Sequence, residues 1–143
     1  MILFLVLQTS IWTMLEKKTD STKETRSDFE RTFYQAVHAV APGEDATLEM
    51  PDSILVIDDQ QVTAFTYYDT QKGFVTKVNW RKLLALDPKM RRHLAYHEAC
   101  HLLDARRLKE RRQLEDNERM MMEMRAERCS MSYWHSDPGS PGK

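Results

Sequence analysis

With 143 residues, 41% of them hydrophobic and 30% charged, the chain suits one soluble domain with a modest core. Its net charge of -1 gives no global electrostatic reason to expect nucleic acid or an acidic membrane as a partner. Two cysteines are too few for a disulfide scaffold.

Residues 1 to 15, MILFLVLQTSIWTML, are strongly apolar, and the character switches at Glu16-Lys17-Lys18 to a polar run ending near Arg26. The apolar stretch resembles an export signal or a short anchor, which implies a secreted protein or one associated with a membrane through this segment. Against that, no Lys or Arg precedes it, no small-x-small cleavage site is evident, and about 15 residues falls short of the roughly 20 that span a bilayer. A cytoplasmic protein with a docked N-terminal helix therefore stays open, and residues 16 to 26 read as a linker either way. Ser27-Asp28-Phe29-Glu30 has a capping-box pattern. Phe29, Phe33, Ala36, Val37 and Val40 then recur at helical spacing until Pro42-Gly43, so a core helix is expected, with His38 on it as a surface or packed histidine.

Ile54 to Ile57, Val62 to Tyr68 and Gly73 to Trp80 are rich in β-branched and aromatic residues and predict a small antiparallel sheet. Asp69-Thr70-Gln71-Lys72-Gly73 is a five-residue hairpin connection with Gly73 available for a positive φ. Arg81 to Leu86 follows as a short helical turn, and Asp87-Pro88 reads as the start of the next helix.

That helix carries His97-Glu98-Ala99-Cys100-His101, flanked by Leu94, Ala95, Leu102 and Leu103 at helical spacing. Residues four apart differ by about 40° in azimuth and about 6 Å in rise, so His97 and His101 present two imidazoles to one ion. Glu98, about 100° round, stands beside that ion, where it can take a proton from a water the ion acidifies. The plainer alternative is an amphipathic helix whose histidines are only polar neighbours. A catalytic zinc needs a third protein ligand. His93 is one turn too early, about 12 Å along the axis from His101, and is expected to be a solvated first-turn residue. A metzincin-type site is excluded because Asp104 and Arg107 stand where Gly and His are required.

Five basic residues occur in the seven positions from 106 to 112, interspersed with Glu110, and read as a solvated connector or helix extension. Asp116-Asn117 offers a cap for a last helix bearing Met120, Met121, Met122, Met124 and Met131, expected mostly as flexible core filler. Residues 136 to 143, with two Pro and two Gly, read as a disordered tail.

Glu123-Met124-Arg125-Ala126-Glu127 lies on that helix, and together with His97-Glu98-x-x-His101 it resembles the gluzincin metallopeptidases. Two layouts in the clan look similar, the membrane peptidases of the HtpX type and the ImmA and IrrE type. The resemblance implies an α+β, zincin-like domain over residues 27 to 135: a supporting helix, a small antiparallel sheet, the His-Glu-x-x-His helix and the glutamate helix. It implies Zn2+ as cofactor, Glu123 as third ligand, Glu127 as the carboxylate that orients a ligand histidine, a peptide or protein as substrate, and a sheet edge that pairs with it, taken here as Val75 to Val78. Glu127 stands where Asp is more frequent, and Cys100 where Gly is. The implied activity is peptide hydrolysis with Glu98 as general base and a second donor to the oxyanion, for which Tyr133 and His135 are candidates by placement after the glutamate helix. A non-catalytic zinc-containing regulatory or binding module of the ImmA type is the alternative, and a metal-free helical interaction protein a further one. His135 is also the rival third ligand. Cys100 and Cys129 lie on the two site helices, but Cys129 points about 200° away from Glu127, which argues against a bridge between them.

Overall fold

The computed structural model describes residues 2–52, 54, 62–110 and 116–135, with the backbone alone described for 2–20, 106 and 135. The elements run α1 (Ile2–Val40), β1 (Ala46–Glu49), β2 (Ala64–Asp69), β3 (Gly73–Val78), α2 (Trp80–Ala85), α3 (Pro88–Cys100), a 3-10 turn (His101–Asp104), α4 (Ala105–Lys109) and α5 (Asp116–His135). The class is α+β.

The expected core helix is the C-terminal part of α1. Its face of Phe29, Phe33, Ala36, Val37 and Val40 is buried, and His38 is exposed, as the spacing predicts. The helix does not begin at Ser27, however. Residues 16 to 26, expected as a linker, are helical. They contain no Gly or Pro, are rich in Lys and Glu, and their hydroxyls are accommodated within the helix, as where Thr25 Oγ1 donates to the Ser21 carbonyl at 2.9 Å. Asp28 accordingly forms an ion pair with Arg31 instead of capping. Among the described residues no helix is long and apolar enough to cross a membrane.

The sheet has three strands in the order β1-β3-β2, with β2 antiparallel and β1 parallel to β3. It is therefore mixed, where an antiparallel sheet was expected, and its outer strands among the described residues are Ala46–Glu49 and Ala64–Asp69. The expected strand at 54 to 57 lies outside the described residues except for Ile54, which is buried. Val75 to Val78, expected as the edge, is central. Phe74, Val75, Thr76 and Val78 are buried on both faces of β3, the pattern of a strand with neighbours on either side. The hairpin forms as predicted. Asp69 Oδ1 accepts from the backbone of Gln71 and Lys72 at 2.8 and 2.9 Å, and Gly73 takes φ 79°.

α3 packs between α1 and α5. Ala95, Ala99 and Cys100 are small and fully buried, so both neighbours approach closely. On α5 the buried face is Met122, Ala126 and Ser130, at spacings of four. Met120, Met121, Met124 and Met131 are exposed, contrary to the expectation of core filler, because only one side of α5 is covered.

Candidate metal and active site

Asp87 caps α3 by accepting from Met90 N at 2.8 Å with Pro88 in the first turn. The helix then runs uninterrupted to Cys100 and tightens into the 3-10 turn at His101. That phase sets the rings of His97 and His101 edge to face, with centroids 5.0 Å apart. Leu103, expected to flank the motif on the apolar side, is exposed, since the turn carries it outward.

Glu123 arrives from α5. Its Oε2 lies 3.1 Å from His97 Nε2 and its Oε1 lies 3.5 Å from His101 Nε2, so both imidazoles turn the same nitrogen toward one carboxylate. Glu127, one turn later, places Oε2 3.2 Å from His97 Nδ1. With Nδ1–H donating to Glu127, Nε2 is the nitrogen that His97 turns toward Glu123 and could offer to an ion in exchange for its own hydrogen bond there. Two imidazoles and a carboxylate converging in this way are a donor set that zinc takes, and His97, Glu98 and His101 also offer ligand atoms within 4.8 Å of one another.

Glu98 is 3% exposed and reaches Thr66 of the sheet. Thr66 Oγ1 on β2 donates to its Oε2 at 2.8 Å, and Thr76 Oγ1 on β3 lies 2.7 Å from Thr66 Oγ1. Each hydroxyl has one proton, so a Thr66 that donates to the carboxylate accepts from Thr76. Burial pushes the Glu98 carboxyl up to about 7, against the opposing pull of the Thr66 hydrogen bond and of His97. Burial would lower His97, but Glu123, Glu98 and Glu127 outweigh it and raise the imidazole above its ordinary value. For His101 burial wins and lowers it, helped by His97. The His97 hydrogen bond holds Glu123 below the usual carboxylate range.

A cleft of about 840 Å³ opens at this cluster, lined on one side by His97, Glu98, His101 and Glu123 and on the other by consecutive residues from Val62 to Tyr67. Successive side chains of a strand point to opposite faces, so the consecutive Ala64 to Tyr67 line the cleft through the edge of β2 rather than through one of its faces. Arg119, one turn before Glu123, is the one arginine or lysine among the described residues lining it.

His97, Glu98, His101, Glu123 and Glu127 are thus brought together. Tyr133 is not. Its ring stacks on Tyr96 with centroids 5.1 Å apart and its hydroxyl donates to the Ala39 carbonyl at 3.2 Å, which commits it to the α1 interface and removes it as an oxyanion donor. The His135 side chain lies outside the described residues. Thr66, Thr76, Arg119 and His93 belong to the site or its surroundings without having been singled out for it. His93 in particular is not a solvated first-turn residue, since its side chain is 16% exposed and held by Glu127.

The expectation against a bridge between Cys100 and Cys129 is also corrected: the two are joined by a disulfide, with Cα atoms 6.0 Å apart. The phase was counted from Glu127, which is half-exposed at the rim. Counted from buried Ala126, Cys129 lies about 60° to one side of the contact face and Glu127 about 100° to the other, so both reach α3.

No family model matches the chain, and no curated protein or solved structure matches it.

Proposed function

We propose that the protein is a zinc-dependent metallopeptidase of zincin-like architecture, with His97, His101 and Glu123 holding the ion. The observation that carries this reading is the buried Glu98 carboxylate. A purely structural zinc site closes around its ligands and needs no acidic group beside them, least of all one whose burial opposes ionisation. When bound, zinc supplies a Lewis acid that polarises the scissile carbonyl and lowers the pKa of a coordinated water.

The remaining work falls to side chains. A peptide lying along the edge of β2 that has no strand partner among the described residues would add a strand to the sheet by backbone hydrogen bonds, which sets its scissile bond over Glu98. Glu98, with a pKa near neutrality, takes a proton from the attacking water on Oε1 or Oε2 and returns it to the departing amine. Thr66 fixes the carboxylate and, with Thr76 behind it, supplies one hydrogen bond that follows the charge. Glu127 keeps His97 in the tautomer with a bare Nε2. Arg119 takes over the task first sought in Tyr133, as a cationic donor to the oxyanion from the cleft wall.

Hydrolysis of an unstructured protein, measured together with zinc content, tests the reading. Glu98→Gln is expected to keep its zinc and lose at least about 100-fold in kcat, and Arg119→Ala to lose about 10-fold or more with zinc unchanged. A Glu98→Gln variant as active as wild type removes the assigned base, and an unaffected Arg119→Ala removes Arg119 from the oxyanion.

A further inference from the structure

We infer that His93 is a positioning residue for the proposed metal ligand His97, acting through Glu127; the inference rests on the metallopeptidase reading of this site. His93 Nε2 lies 3.2 Å from Glu127 Oε2, the same oxygen that lies 3.2 Å from His97 Nδ1. His93 and His97 are one turn apart on α3, and Glu127 reaches across from α5 to meet both. The His93 ring is in turn seated perpendicular to Trp134 of α5, with centroids 5.4 Å apart.

The reason such a partner is needed lies in Glu127 itself. Its side chain is 53% exposed, and a glutamate has one more rotatable bond than an aspartate, so water competes for its oxygens and a single hydrogen bond from His97 orders it poorly. A second N-H on the same oxygen, from a ring that is itself only 16% exposed, removes that freedom. The oxygen accepts from both rings, so His93 donates from Nε2 and His97 from Nδ1, and His97 Nε2, 3.1 Å from Glu123 Oε2, is the nitrogen left to face a metal ion. Trp134 closes the loop by fixing the plane of His93. Two helices thereby set the orientation of one ligand ring at both of its nitrogens.

A second cation held by His93, His97 and Glu127 is the competing use of the same atoms, which lie within 4.8 Å of one another. It requires His97 to offer lone pairs from both nitrogens, which a neutral imidazole does not have. The shared hydrogen-bonded carboxylate needs no such deprotonation and is the arrangement the distances fit.

The test is a double-mutant cycle on zinc affinity, read by competition with a chromogenic chelator in the full-length chain. His93→Ala is expected to weaken zinc about 3- to 10-fold and Glu127→Ala about 10-fold or more, while the double variant loses no more than Glu127→Ala alone. His93→Gln, which places an amide N-H at the reach of Nε2, should restore most of the affinity. Additive losses, wild-type affinity in His93→Ala, or a second zinc per chain that His93→Ala removes would each overturn the proposal while leaving the metallopeptidase reading in place. A wild-type chain that binds no zinc overturns both.

Discussion

Burying the Glu98 carboxylate beneath β2, which would serve the proposed proton transfer, costs stability, and the sign of that cost can be followed with pH. Its folded pKa of about 7 lies above the ordinary 4.5, so the folded metal-free protein binds this proton more tightly than the unfolded chain does. The contribution to stability is complete below about pH 4.5 and is lost as pH rises through about 7, an amount on the order of 3 kcal/mol. Denaturant titration of the metal-free protein should show Glu98→Gln gaining on wild type between pH 5 and pH 8 by about 2 to 3 kcal/mol. A difference that stays constant over that range would contradict the burial argument. At this scale the spacing of His97, Glu98 and His101 was legible, because one helical turn fixes it. Thr66 was not, since its partner comes from another element. It was recoverable in principle: pairing Asp69 with Gly73 and counting back along the predicted hairpin sets Thr66 opposite Thr76.

Between α3 and α5 the contacts recur turn by turn. Tyr96 stacks on Tyr133, His93 and His97 share Glu127, Cys100 is bonded to Cys129, and just past α3 Asp104 of the 3-10 turn makes a two-pronged ion pair with Arg125 at 3.0 and 3.1 Å. These are the helices that carry the proposed ligands, so whatever holds them together also holds Glu123 in reach of the histidines. The disulfide closes a loop over a separation of 29 residues, for which chain entropy in the unfolded state gives a stabilisation of about 3 kcal/mol. Cys100→Ser with Cys129→Ser should therefore lower the unfolding free energy by about 2 to 4 kcal/mol in non-reducing buffer. A midpoint of denaturation that does not move would show that the bridge constrains nothing the packing does not already fix. The sequence made both helices plain through Asp87-Pro88 and Glu123-x-x-Ala126. It hid the bridge, because a phase argument is only as good as the residue it is counted from, and Glu127 marks the rim of the interface rather than its centre.

Across the whole molecule, the helices and strands of the α+β class were legible in periodicity, and the organisation of the sheet was not. The parallel pairing of Ala46–Glu49 with Gly73–Val78 joins residues far apart in the chain, and nothing in a short strand of mixed polarity announces which neighbour it takes. That pairing makes β3 central and leaves β2 as the strand over Glu98, which is why the cleft runs along Val62 to Tyr67 and not along Val75 to Val78. The continuity of α1 through residues 16 to 26 was missed for a different reason, since a polar stretch without Gly or Pro is compatible with a linker and with an exposed helix alike. What unites helix, sheet and cleft in one account is the proposed ion, with His97, His101 and Glu123 as its ligands. Its most direct test is the zinc content of protein purified without chelator, for the wild type, Glu123→Ala and His135→Ala. The account predicts about one zinc per chain in wild type and His135→Ala and a severe loss in Glu123→Ala. A wild type without zinc, or a Glu123→Ala that keeps it while His135→Ala loses it, would contradict the assignment.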